Sequence, residues 1–107
     1  MKIKFNNNEY EMKYSFRALM IYENIMGKSF NPQGLTDIII FFYSTVLANS
    51  NNVTILYDDF LDWLDENPNE LNNFSEWLMD ALGLNSFLTP EVKDKNDKKK
   101  KKEDSKN

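Results

Sequence analysis

The chain has 107 residues, no Cys, no His and a formal net charge of -4. That length fits one domain. The composition excludes disulfides, zinc sites built on Cys or His, thiol nucleophiles and the usual neutral-pH general base within this chain.

Aromatic residues make up 14% of the chain, enough apolar bulk for a folded globule. The absence of Cys fits a reducing compartment. The opening "MKIKFNNNEY" has no apolar h-region, so no secretory leader is expected. The longest apolar stretch, "IIIFFYSTVLA" at residues 38–48, is 11 residues long and too short to span a bilayer as a helix. It reads as a buried core helix.

In chain order, "KIKF" and "EYEM" alternate polar and apolar residues, the period of half-buried strands. Asn6, Asn7 and Asn8 between them supply a turn, because Asn tolerates positive φ. Ile3, Phe5, Tyr10 and Met12 should face the core. The next segment predicts a first helix with Ser15 as N-cap and Gly27 past its end. Its stripe is Ala18, Leu19, Tyr22, Ile25 and Met26. "FNPQGL" then breaks the chain, and Thr36 should cap a second helix with Asp37 in its first turn. That helix is apolar nearly all round, which marks it as central.

Residues 53–55 read as extended, with the option of a short strand beside the hairpin. A third helix follows, with Tyr57, Phe60, Leu61 and Leu64 on one face and Asp58, Asp59, Asp62, Asp65 and Glu66 on the other. "NPNE" predicts a fourth helix, with Asn67 as N-cap, Pro68 at the first helical position and Glu70 closing a capping box. Leu71, Phe74, Leu78, Ala81 and Leu82 form its stripe, and Gly83 ends it. The expected fold is therefore mainly α (α+β), an N-terminal β-hairpin followed by about four helices packed as a small bundle. It occupies residues 1–90, and residues 91–107 form a lysine-rich tail expected to be disordered.

Charge falls in blocks. Residues 1–28 carry five bases and three acids, whereas residues 29–90 carry nine acids and no Lys or Arg. The pairs Asp58/Asp62 and Asp62/Glu66 stand one turn apart, the spacing of general acid/base groups or hard-cation ligands. No calcium-loop pattern with its Gly accompanies them, and no Lys shares their segment. A solvated face explains them, with binding of a basic partner as the functional rival. Trp63 and Trp77 flank their core stripes, where they either pack inward or anchor an interface. Arg17 is expected to pair with a carboxylate. The five consecutive lysines at residues 98–102 are interleaved with nearby acids and lack aromatics for base stacking. They read as a solubilising extension, with no nucleic acid and no membrane as partner.

Three stretches, "MKIKFNNNEYEMKYSFRALMIYENIMGKSF", "LTDIIIFFYSTVLANS" and "LYDDFLDWLDENPNELNNFSEWL", together resemble the small tail assembly chaperones of long-tailed bacteriophages and prophages. The hairpin pattern K-I-x-[F/I]-N-G-x-E-Y corresponds to residues 3–10, with Asn6-Asn7-Asn8 in place of the Asn-Gly turn. The pattern F-x-A-L-x-x-[Y/L]-E corresponds to residues 16–23. Residues 37–43 and 54–65 carry the later helical patterns, the last with slightly longer spacing.

The resemblance implies a non-enzymatic protein without cofactors. Such a protein keeps the tape measure protein soluble and helps recruit tail tube protein around it in the bacterial cytoplasm. It is not expected in the mature virion, and it is compatible with a homo-oligomer. AAA codons for residues 98–102 would supply the slippery run on which family members shift frame to a longer product. The partner-binding side chains expected on this reading are Asp58, Asp59, Asp62, Trp63, Asp65, Glu66, Trp77, Phe87 and Leu88. The rival expectation is a small acidic adaptor or inhibitor that binds a basic host protein through the helix face at residues 58–66.

Overall fold

The computed structural model describes residues 1–50 and 54–83. Strands β1 (Lys2–Phe5) and β2 (Asn8–Glu11) form an antiparallel hairpin, followed by helices α1 (Phe16–Met26), α2 (Leu35–Ala48), α3 (Tyr57–Glu66) and α4 (Pro68–Leu82). The hairpin-plus-four-helices architecture is the expected one.

The turn is shorter than the three asparagines suggest. Phe5 pairs with Asn8, so Asn6 and Asn7 alone make the connection. Their φ angles are 51° and 67°. Two successive positive-φ residues match the right-handed twist of the strands they join. Asn8 joins β2 instead. Ile3, Phe5, Tyr10 and Met12 are all buried, as the alternation predicts. At the open end of the hairpin the Met1 amino group lies 3.0 Å from Glu11 Oε2.

The other expected strand is not formed in the part that can be seen. Residues 54–56 run into α3 without entering the sheet, and Val53 lies outside the described residues. Ile55 is buried nonetheless, and its carbonyl accepts the Tyr43 hydroxyl.

Helix α2 is the axis. Ile40, Phe41, Phe42 and Val46 are buried along it, and its buried hydroxyls are satisfied inside the helix. Ser44 Oγ donates to Ile40 O at 2.7 Å, and Thr45 Oγ1 donates to Phe42 O at 2.7 Å. Without those bonds each hydroxyl would carry a desolvation cost of about 1–3 kcal/mol. The aromatic residues interlock around this helix. Phe42 stacks on Phe74 with ring centroids 4.2 Å apart, and Phe41 stacks on Phe30 at 4.1 Å. Phe42 also meets Phe60 edge to face at 5.2 Å, so one α2 side chain ties α3 and α4 to the axis.

Helix ends follow the sequence only in part. Ser15 Oγ accepts from Ala18 N at 3.1 Å, and Gly27 and Gly83 take the left-handed conformation that favours glycine. Thr36 is not a cap. Helix α2 begins two residues earlier than that cap implies, at Leu35, with Gly34 at the cap position. Asp37, in the first turn, reaches back to the Gln33 amide ahead of the helix at 3.1 Å, and among the described residues no side chain caps the first amides of α2.

The capping box at residues 67–70 is also absent. Only Asn67 separates α3 from α4, and its side chain donates backwards to Trp63 O at 2.9 Å. It serves an orphan carbonyl of α3 rather than the amides of α4. Two stripe positions are corrected as well: Ile25 and Ala81 are exposed, because among the described residues no element covers those edges of α1 and α4.

Candidate functional site

Helix α3 packs through Phe60 and Leu64 and turns its five acids outward. Asp58, Asp59, Asp62, Asp65 and Glu66 are all exposed. Asp58 and Asp59 sit favourably at the positive end of the helix dipole, while Asp65 and Glu66 sit unfavourably at the negative end with no base beside them. A hollow of about 280 Å³ lies between the hairpin turn and α3, lined by Phe5, Asn6, Asp59, Asp62, Trp63 and Glu66. Its chemistry is that of a hydrogen-bond acceptor for cationic side chains. Among the described residues no group of three or more Asp, Glu, His or Cys is arranged to hold a metal ion.

Trp63 is half-buried and committed to the fold. Its ring meets Phe5 edge-on at 5.7 Å and Phe60 at 5.7 Å, and its indole N–H donates to Lys4 O at 3.1 Å. It pins the hairpin to α3. Trp77 is likewise half-buried, against Phe74 at 5.3 Å. Phe87 and Leu88 lie outside the described residues. Arg17 is exposed and forms no ion pair among the described residues, contrary to expectation.

Sequence reasoning missed three features. The first is a polar centre at the α1–α2 junction. Asp37 accepts the Tyr22 hydroxyl at 2.8 Å and the Gln33 amide at 3.1 Å, and Lys28 Nζ lies 3.3 Å away. The bond from Tyr22, the Gln33 amide and the Lys28 ammonium together hold the Asp37 carboxyl below its usual pKa. Burial and the bond to Asp37 push the Tyr22 phenol up to about 12. In the sequence Tyr22 looks like a stripe residue and Asp37 like a dipole partner. Only their 15-residue separation across a turn hints at a pair.

The second missed feature is an apolar face on α1. Phe16 is 85% exposed, and Met20, one turn on, is 64% exposed. Tyr14, Ser15, Phe16 and Leu19 surround a shallow hollow beside it. The third is a groove of about 400 Å³ between the start of α2 and the second half of α4, lined by Pro32, Gly34, Leu35, Ile38, Ser75, Leu78, Met79 and Leu82. Leu35 is 65% exposed at its lip and also borders a neighbouring hollow with Ile39, Leu61, Leu64 and Leu71. The wall residues come from two distant segments, so only packing reveals the groove.

No protein-family model, curated protein or solved structure matches the chain.

Proposed function

We propose that this chain is a small non-enzymatic tail assembly chaperone that binds the tape measure protein of a long-tailed phage and aids assembly of tail tube protein around it. The family reading rests on the sequence resemblance of the hairpin, of residues 16–23 and of the acidic third helix. The observation that carries a chaperone role is the set of large apolar side chains left at the surface of a charged body: Phe16, Met20 and Leu35. Solvent-exposed anchors of this kind suit capture of apolar helical segments before they assemble. The site of action on this reading is the bacterial cytoplasm, without cofactor.

Co-expression tests the reading. The chain at stoichiometric excess is expected to keep the phage's tape measure protein in the soluble fraction, and Phe16→Ser together with Leu35→Ser should lose that effect. Unchanged aggregation in the presence of the unmodified chain refutes the proposal.

A second reading is favoured by the hollow that gathers Asp59, Asp62 and Glu66: an acidic adaptor or inhibitor for a basic host protein. Salt separates the two. Binding through exposed carboxylates weakens steeply with ionic strength, whereas an apolar contact does not.

A further inference from the structure

The groove between α2 and α4 has a definite ligand chemistry. Its floor is Leu78, buried, and its walls are the half-buried Ile38, Met79 and Leu82 with the exposed Leu35. Two helices flanking an apolar trough of this kind accept the apolar stripe of a third helix. A methionine in the wall adapts to side chains of different shape.

The described segments that line the groove, residues 32–38 and 75–82, carry acids and no base. Residues 29–83 contain nine acids and no base. Glu76 follows the groove residue Ser75 and is exposed. Asp65 borders the adjoining hollow that shares Leu35. Lys28, the nearest base in sequence, is drawn to Asp37 at 3.3 Å. By contrast, the apolar face of α1 sits beside Lys13 and Arg17, both exposed, so the two apolar surfaces differ in charge.

We infer that the α2–α4 groove is a docking site for an amphipathic helix whose apolar stripe is flanked by Lys or Arg. The stripe fills the space over Leu78 while the flanking bases reach Asp65 on α3 and Glu76 on α4. The apolar residues supply the contact, and the charges select among helices of similar hydrophobicity and speed their arrival. The inference names the surface and ligand class for the chaperone reading, and rests on that reading only for the identity of the partner.

The test uses the full chain and a labelled peptide of ~18 residues, long enough for five helical turns, with Leu at i, i+3, i+4 and i+7 and Lys on both flanks. Fluorescence anisotropy is expected to show saturable binding to the unmodified chain. The same peptide with Glu flanks should bind at least tenfold more weakly. Leu35→Asp should weaken the Lys-flanked peptide at least tenfold even though it adds a negative charge. Leu35 is exposed at the first helical position, where Asp is well tolerated, so the variant should melt like the unmodified chain. Asn24→Ala, at an exposed position of α1 away from the groove, should leave binding unchanged.

Equal binding of both peptides, or indifference to Leu35→Asp, overturns the inference. So does a chain that binds neither peptide, or whose dimers in sedimentation dissociate with Leu35→Asp while the peptide fails to compete, which would assign the groove to a second copy. Failure here is distinguishable from failure of the chaperone reading. If the chain solubilises the tape measure protein and Leu35→Asp does so equally, the groove assignment falls alone. If the groove binds the Lys-flanked peptide and the tape measure protein still aggregates, the phage reading falls alone.

Discussion

Asp37 shows how much one side chain can hold. It closes the turn between α1 and α2 by accepting from Tyr22 on one helix and from Gln33 ahead of the other. Tyr22→Phe removes a buried donor and leaves the carboxylate with less compensation, so thermal unfolding should occur about 4–8 °C lower. The pH dependence has two limbs. The Asp37 pKa is lowered in the folded state, so its contribution is present above the unfolded carboxylate range near ~3.9 and is lost as pH falls through the folded value. The Tyr22 pKa is raised to about 12, so its contribution is present below the unfolded value near ~10 and is lost as pH rises through the folded one. Melting curves from pH 2 to pH 12 check both limbs. Asp37→Asn should flatten the acid limb, and an acid limb as steep as the original would place the titrating group elsewhere.

Among the elements, the hairpin was the most legible from sequence. Strict alternation can be satisfied only one way when one face is buried, so the pattern alone predicts the burial of Ile3, Phe5, Tyr10 and Met12 that the fold shows. Its turn depends on positive φ at Asn6 and Asn7. Asn7→Gly should hold or raise stability, because Gly pays no steric cost there, whereas Asn7→Val should cost about 1–2 kcal/mol. Chemical denaturation reads both; equal midpoints would show that the turn is not strained.

Helix ends were less legible. Thr36 and the residues 67–70 carry good capping chemistry, yet neighbouring contacts redirect it. Asp37 takes the amide ahead of α2, and Asn67 turns back to Trp63 because α3 ends only one residue before α4 begins. Ile25 and Ala81 fit a helical stripe but lie at its uncovered edges. The acidic face of α3 was readable because five carboxylates share one short helix. The groove was not, because Leu35 and Met79 meet only through the packing of α2 against α4.

For the molecule as a whole, the unbalanced charge of residues 29–83 is the governing electrostatic fact. That stretch holds nine acids and no Lys or Arg, and one of the nine, Asp37, is paired with Lys28 from just before it. Repulsion among the exposed carboxylates should therefore outweigh attraction. Asp65 and Glu66 add to it by facing the negative end of their own helix. Salt screens such repulsion over about 10 Å at 0.1 M. The melting temperature should thus rise as NaCl increases from ~0.01 M to ~0.15 M and then level off. A fall over that range would mean that the few ion pairs dominate. Replacing Asp62 and Glu66 with Gln and Lys should raise the low-salt melting temperature and blunt the salt response, because it relieves the same repulsion from within. A Lys-flanked helix seated in the groove acts on the same charges as salt. Its stabilising effect should therefore be largest at low ionic strength, and the part that survives at high salt measures the apolar contact over Leu78.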